Sequence, residues 1–148
     1  MAAFSYDRKV MLERHVAGRD LAVSVLEDGE GLQALPVVEA VPREEDFYDF
    51  ESRYEIGRTR FACPAELDEP LAARAAELAL DTYRLLGLSG FGRVDLMLDS
   101  SSEELFVLEA DPIPGLTDTS LLPQAAEAAG IGFDELVERI LTAAAERV

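Results

Sequence analysis

The stretch FGRVDLMLDSSSEELFVLEAD, residues 91–111, decides the fold of this chain. Its two apolar runs, Phe91–Leu98 and Leu105–Asp111, have the composition and alternation of β-strands. The polar run Asp99–Glu104 separates them and supplies residues that favour turns. The stretch therefore predicts an antiparallel hairpin.

Three carboxylates of this hairpin are predicted to lie together. If Asp99 lies opposite Leu105, Asp95 faces Glu109 directly, and alternation with period two places Asp111 on the same face. Like charges directly opposite each other destabilise a sheet, and a cation between them removes that cost. An all-oxygen cluster suits Mg²⁺, Mn²⁺ or Ca²⁺. Patterning alone leaves open the alternative of a solvated hairpin in a very acidic protein.

The composition is that of one acidic globular domain. The chain has 148 residues, of which 49% are hydrophobic and 29% charged, enough to bury a core of its own. Asp plus Glu outnumber Lys plus Arg by 30 to 13, and the net charge of −17 disfavours nucleic acid and anionic membranes as partners. Lys9 is the only lysine, so a bound polyphosphate must be met by arginine, metal ions, backbone amides or another piece of protein.

Several classes of site and compartment are disfavoured. Cys63 is the only cysteine and His15 the only histidine, so we expect neither a disulfide framework nor a transition-metal site built from these residues. We find no signal peptide and no membrane-spanning apolar run, and therefore expect a cytoplasmic protein. A P-loop, a dinucleotide-binding fingerprint and a Ser/His/Asp arrangement are also lacking, which disfavours hydrolases of those kinds.

The order of the predicted elements indicates an α+β fold with helices beside a largely antiparallel sheet. An N-terminal meander of three strands is expected at Val10–Val16, Leu21–Leu26 and Leu32–Val41, with a tight connection at residues 17–19. An irregular stretch, Pro42–Arg60, follows this meander.

Three helices complete the prediction. Asp68 caps the first, which ends near Gly87. Its expected apolar face comprises Leu71, Ala75, Leu78, Thr82, Leu85 and Leu86. A short helix is expected at Ser120–Ala128, and a last one begins at about Asp134. The last helix is expected to bury Leu136, Val137, Ile140, Leu141 and Ala144.

A family resemblance runs nearly from end to end of the chain. It is carried by YDRKVMLERHVAGRDLAV, FYDFESRY, ACPAEL, GFGRVDLMLD and EADPIPGLTDTSLLPQAAEAAGI. In order and spacing these segments resemble the C-terminal part of D-alanine–D-alanine ligases, which are ATP-grasp enzymes. They include the blocks G-[WF]-G-R-x-D and E-x-[ND]-x-x-P-G-[ML]-T.

The resemblance implies an ATP-dependent carboxylate–amine ligase that makes D-alanyl-D-alanine for peptidoglycan, with ATP and D-alanine as substrates and two Mg²⁺ (or Mn²⁺) ions. The carboxylate of the first D-alanine attacks the γ-phosphate to form an acyl phosphate, and the amine of the second displaces phosphate. This chemistry needs charge neutralisation on the triphosphate and on the developing oxyanion.

The resemblance also implies roles for residues of the hairpin and of the loop that follows it. Asp95, Glu109 and Asp111 match the metal ligands, with Glu109 able to bridge two ions. Arg93, on the same strand face as Asp95, matches the arginine that steadies the acyl phosphate. Gly115 matches the glycine whose amide donates to the oxyanion. Taken alone, Arg93 also fits a surface ion pair, and Gly115 a turn after proline.

Other positions match substrate contacts. Ser120 and Leu121, at the start of a helix, match the residues that hold the carboxylate of the second substrate, although Ser120 also fits a simple helix cap. Tyr48 matches a tyrosine in the loop that covers the site. The nucleotide contacts implied are Glu13 and Val16 at the adenine edge, Asp20 at the ribose, and Leu108 beside adenine; Leu108 is also expected in the core.

Three positions depart from the family pattern. Asp111 stands where asparagine is usual and adds negative charge. Arg53 stands where the covering loop usually carries lysine, and Asp20 replaces a glutamate. These departures keep the chemistry and make the choice of substrate less certain.

The resemblance begins just before the adenine-side strand. Residues 1–148 match only the C-terminal subdomain. The substrate domain and the subdomain with phosphate-binding lysines and a Gly/Ser-rich loop have no counterpart here. We expect a catalytic half that is inactive alone and acts as a homodimer or with the missing upstream half. The alternatives are an ATP-grasp ligase with other substrates, such as D-lactate, D-serine or other amino acids, and a non-catalytic metal- or nucleotide-binding remnant.

Overall fold

The computed structural model describes residues 2–29, 31–42 and 59–146. Tyr48 and Arg53 lie outside this part of the chain. After a short 3₁₀ turn at Ala2–Ser5, the elements are β1 (Gly18–Asp28), β2 (Gly31–Ala34), β3 (Val38–Pro42), β4 (Thr59–Ala62), α1 (Glu69–Leu85), β5 (Phe91–Asp99), β6 (Leu105–Asp111), α2 (Leu121–Ala128) and α3 (Phe133–Ala145). No helix among the described residues is long and apolar enough to cross a membrane.

The strands form one antiparallel sheet, and the predicted α+β architecture is confirmed. Its order is β4-β3-β1-β5-β6, with β2 paired to the far end of β1. The run Leu21–Leu26 in β1 is buried at every position. A strand covered on both faces needs apolar residues without alternation, which explains the sequence LAVSVL.

Helices cover the two faces of the sheet with two separate cores. On one face, Ala75, Ala79 and Tyr83 of α1 pack with a cluster that includes Val23 of β1 and Val94 of β5. On the other face, helices α2 and α3 pack over a cluster that includes Ala22, Leu26, Leu122 and Leu136. Because Ala22 pairs with Asp95, this second face is the one that carries Asp95.

The first predicted strand is wrong. Residues 10–16 form no strand; they are irregular and mostly exposed, and β1 begins at Gly18, inside the predicted connection. The predicted strand Leu32–Val41 is divided into β2 and β3 around Pro36, which has no N–H to donate to a ladder. Residues 59 and 60, predicted to be irregular, begin β4. Residues 10–16 pair with no strand that the structure describes, so their strand-like composition alone gave the wrong prediction.

The helix boundaries were predicted better than the helix faces. The Asp68 carboxylate accepts a hydrogen bond from the Leu71 amide at 2.9 Å, as a capping residue should. Leu85 and Leu86, however, are 86% and 57% exposed, because the helix turns Ala79 and Tyr83 to the sheet instead. In α3, Leu136 is buried as expected. Leu141 and Ala144 are exposed and Ala143 is buried in their place.

Candidate functional site

The site lies on the paired strands β5 and β6. Asp95 lies opposite Glu109, as predicted, and Arg93 lies opposite Asp111. Between this end and the turn the register shifts by one residue at a β-bulge formed by Leu108. The predicted pairing of Asp99 with Leu105 is therefore wrong, and Leu98 takes that place.

The turn explains the shifted register. The Asp99 amide donates to the Glu104 carbonyl oxygen at 2.9 Å, which closes the hairpin one residue earlier than expected. Glu103 adopts a left-handed conformation with φ of 56° that this tight turn requires. The Asp99 carboxylate accepts hydrogen bonds from Ser101 and the Ser102 amide, and the bonds from Ser101 above all hold its pKa below the usual value.

A bidentate ion pair forms the centre of the site. Arg93 Nε and Nη2 donate to Asp95 Oδ1 and Oδ2 at 2.6 Å and 2.9 Å, and Nη2 lies 3.6 Å from Asp111 Oδ2. Asp95 is only 8% exposed. Burial lowers the pKa of the Arg93 guanidinium, but the hydrogen bond to Asp95 and the charges of Asp95, Asp111 and Glu109 together raise it. Arg93 is therefore a permanent cation among three carboxylates.

The neighbouring strand presents small side chains to this pair. Ala22 and Ser24 of β1 lie opposite Asp95 and Arg93, so they share their face of the sheet. Ser24 is fully buried, and its hydroxyl has no hydrogen-bond partner among the residues that the structure describes. Sequence reasoning missed this residue, although a single hydroxyl inside the apolar run LAVSVL was the available signal.

The loop between β6 and α2 brings Gly115 and Ser120 together. A Cβ on Gly115 would lie 2.6 Å from Ser120 Oγ, so only glycine fits without movement of Ser120. Ser120 Oγ accepts from the Thr117 amide at 3.1 Å and lies 2.9 Å from Thr117 Oγ1. Ser120 is the N-cap residue of α2, but its side chain makes no capping hydrogen bond. Its hydroxyl therefore organises the loop rather than the helix end.

The remaining predicted residues lie apart in the chain. Glu13 is exposed and Val16 half-buried in the irregular segment before β1. Asp20 lies in β1 opposite Met97 of β5. Leu108 is 46% exposed at the bulge, so the expectation that it belongs to the core is wrong. Leu121 begins α2 and packs against the core under that helix.

The donor set suits a hard divalent cation, since three carboxylates stand on adjacent strands. Across the described ranges, however, no group of three or more His, Cys, Asp or Glu side chains is arranged to hold an ion. Both oxygens of Asp95 are bonded to Arg93 instead. The chemistry of the residues fits a cation, while their present arrangement is that of an arginine–carboxylate cluster.

Comparisons with known proteins agree on one family. The family model described as D-ala D-ala ligase C-terminus matches residues 1–142. The chain is similar to the D-alanine--D-alanine ligase of Geotalea uraniireducens, with 41% identity over 146 residues that cover 99% of this chain and 45% of the relative. It is also similar to the D-alanine--D-alanine ligase of Alkalilimnicola ehrlichii, with 46% identity over 140 residues, 94% of this chain and 43% of that relative.

Solved structures give the same result. The crystal structure of the D-alanine--D-alanine ligase from Bacillus anthracis matches with a TM-score of 0.79 and 28% identity, over 98% of this chain and 46% of that one. The structure of that ligase complexed with ATP matches with a TM-score of 0.70 and 28% identity, over 90% of this chain and 40% of the other. These likenesses confirm the predicted fold class, an ATP-grasp C-terminal subdomain. The chain spans about 45% of the length of the curated relatives it matches.

Proposed function

The chain belongs to the family of D-alanine–D-alanine ligase C-termini, and we propose that it forms the metal- and phosphate-handling half of an ATP-dependent ligase that joins two D-alanines. The observation that carries this proposal is the cluster of Arg93, Asp95, Glu109 and Asp111 on paired strands. These residues fall in the two sequence blocks that carry the family resemblance. The names of the matched relatives supply the substrate.

The carboxylates are the groups that would hold the cations. Asp95, Glu109 and Asp111 would hold two Mg²⁺ or Mn²⁺ ions, and Glu109 lies opposite Asp95 on the paired strand. The ions supply charge neutralisation to the triphosphate and the transferred phosphoryl group. Each aspartate is held in place, since Asp95 is buried and Asp111 Oδ1 accepts from the Ile113 amide at 3.0 Å.

Four further residues serve the reacting atoms and the second substrate. The Arg93 guanidinium binds the oxygens of the acyl phosphate, where its permanent charge stabilises the developing anion. The Gly115 amide donates to the oxyanion formed when the second amine attacks. Ser120 and the Leu121 amide, at the start of α2, bind the carboxylate of the second D-alanine, which the helix N-terminus favours.

The nucleotide lies on the side of the site next to the irregular N-terminal segment. We assign the adenine edge to Glu13 and Val16, and the ribose to Asp20. Leu108 covers adenine, and its 46% exposure at the bulge leaves an apolar side chain available for that contact. Tyr48 lies outside the described residues, and we assign it to the active site from its sequence match alone.

The remaining parts of such an enzyme lie outside residues 1–148. Lys9 is the only lysine of this sequence, so the lysines that grip the phosphates and the first D-alanine site belong to other sequence. We place the ligase in the cytoplasm, in the synthesis of peptidoglycan precursors, as a homodimer or with its upstream half. Nucleic acid and membranes are not partners in this proposal.

The test is a chimera. Residues 1–148 are joined to the N-terminal part of the Geotalea uraniireducens ligase, and D-alanine-dependent ADP release is measured with Mg²⁺. We expect activity in the chimera, none in the 148-residue chain alone, and a loss of at least about a hundredfold in Asp95→Asn. The matched control is Asp134→Asn, which removes one carboxylate from an exposed position of α3.

Two outcomes would contradict the proposal. ADP release by the 148-residue chain alone would show that it is not half of an enzyme. An active chimera that tolerates Asp95→Asn as well as Asp134→Asn would remove the assigned metal site. The acceptor is identified by supplying different second substrates, including D-lactate and D-serine, and separating the products by chromatography.

A further inference from the structure

The guanidinium of Arg93 is bonded to carboxylate oxygens that would hold a cation. It donates to both oxygens of Asp95, at 2.6 Å and 2.9 Å, and lies 3.6 Å from an oxygen of Asp111. Glu109 faces Asp95 from the paired strand, and its charge also acts on the guanidinium. Arg93 is thus the cation that contacts the carboxylates of the cluster.

We propose that Arg93 and a divalent cation compete for Asp95, so that loading the cluster with a cation releases the guanidinium toward phosphate oxygens. This inference rests on the proposed function and adds an order of events to it. The arginine that stabilises the acyl phosphate becomes available only in the cation-loaded site. While it donates to Asp95, the same side chain has its charge neutralised by that carboxylate.

The carboxylate is the fixed partner and the guanidinium the moving one. Asp95 has a short side chain on a strand that pairs with both β1 and β6, and the two side chains are about equally buried, with 14% of Arg93 and 11% of Asp95 exposed. Arg93 carries its charge on a long stem with several rotatable bonds. Because both Asp95 oxygens are engaged, a cation can reach this carboxylate only if at least one hydrogen bond to Arg93 breaks.

The charges make this exchange favourable. Asp95, Glu109 and Asp111 bring three carboxylates to the cluster, and Arg93 sets one positive charge against them. A divalent cation neutralises them directly, and the freed guanidinium then meets the triphosphate instead. Removal of Arg93 should strengthen cation binding for two reasons, since it removes a competitor and leaves one more negative charge.

The experiment measures Mn²⁺ binding to the 148-residue chain by the loss of the free-ion signal in electron paramagnetic resonance, in moderate salt. We expect Arg93→Met to bind Mn²⁺ at least about tenfold more tightly than the parent chain. Arg93→Lys keeps the positive charge but replaces the bidentate guanidinium with a single ammonium group, so its Mn²⁺ affinity should lie between those of the parent and Arg93→Met. Asp95→Asn should weaken Mn²⁺ binding both in the parent chain and in the Arg93→Met variant.

The matched control is Arg19→Met. Arg19 pairs with Glu39 with an Nε–Oε1 distance of 2.7 Å, so this variant breaks another arginine–carboxylate pair and changes the net charge equally. Its Mn²⁺ affinity should stay within about twofold of the parent, since Arg19 lies opposite Leu98 and its ion-pair partner Glu39 is not part of the cluster, and salt weakens the interaction between charges that are not in contact. Circular dichroism verifies that each variant is folded before titration.

A second measurement follows the guanidinium itself. In the parent chain, the ¹⁵Nε signal of Arg93 should shift as Mg²⁺ is added, and in Asp95→Asn the shift should disappear. If the parent binds Mn²⁺ through Asp95 but Arg93→Met binds no more tightly, the competition is overturned and the proposed function stands. If no protein of the set binds Mn²⁺ at millimolar concentration, the metal site of the proposed function fails as well.

Discussion

Substitution of Gly18 by alanine should separate the ends of the two central strands. Gly18 begins β1 and pairs with Asp99 of β5. A Cβ built on Gly18 would lie 1.9 Å from the Leu98 carbonyl oxygen and 2.7 Å from its carbonyl carbon. Because these are backbone atoms, no rotation of a side chain can relieve the contact.

The cost follows from how far the strands must move. Real Cβ atoms essentially never come within 3.0 Å of such neighbours, so the strands must separate by about 1 Å or more at this end. That movement weakens the local β1–β5 ladder and the Ser100 amide bond to the Ala17 carbonyl oxygen, now 3.0 Å. At about 1 kcal/mol for each backbone hydrogen bond lost, we expect destabilisation by about 2–4 kcal/mol.

Urea unfolding followed by circular dichroism measures this loss. With a urea dependence of about 1–3 kcal/mol per molar, the midpoint should fall by about 1–2 M. Gly29→Ala is the control, since no atom lies within 4 Å of a Cβ there and its backbone is not left-handed. A Gly18→Ala protein within about 0.5 kcal/mol of the control would refute the close approach of β1 and β5 at this point.

Three further predictions concern single side chains. Gly115→Ala should lower the free energy of unfolding by about 1 kcal/mol, because its Cβ displaces Ser120 Oγ, and this cost should be smaller when Ser120→Ala is also present. Urea unfolding of the parent, the two single variants and the double variant checks this, and additive effects would contradict it. Ser24→Ala should keep or raise thermal stability by up to about 1 kcal/mol, since its buried hydroxyl lacks a partner in the described part of the chain; a loss above about 1 kcal/mol argues against this. Burial raises the pKa of the Cys63 thiol, so its alkylation should need a higher pH than that of free cysteine, and a profile equal to free cysteine contradicts it. Because the folded pKa is raised, the associated stability is present below the unfolded pKa and lost as pH rises through the folded one.

The parts of the fold that sequence predicts well are those with redundant signals. The helix at Glu69–Leu85 has a capping aspartate, a proline in its first turn and a glycine beyond its end, and its bounds are close to the prediction. The hairpin β5–β6 has two strand-like runs around a polar turn. Residues 10–16 carried only the composition of a strand, with no second signal for one, and they form no strand.

The residues of the site were predicted from the sequence, but the arrangement of their side chains was not. Alternation places Arg93, Asp95, Glu109 and Asp111 on one face of the sheet, and the register confirms this. It does not determine the side-chain torsions of Arg93, which decide whether the guanidinium bonds to Asp95 or points elsewhere. That choice depends on the balance of nearby charges and on burial in three dimensions, which a linear pattern does not contain.

The bulge at Leu108 is the feature that turns this hairpin into a site. If the register set at the turn, Leu98 opposite Leu105, continued without a shift, Glu109 would lie opposite Val94. Val94 belongs to the core beneath α1, so Glu109 would point into apolar packing on the wrong face of the sheet. The one-residue shift returns Glu109, and Asp111 with it, to the face of Asp95. The unusual exposure of Leu108 and the meeting of the carboxylates thus have one structural cause.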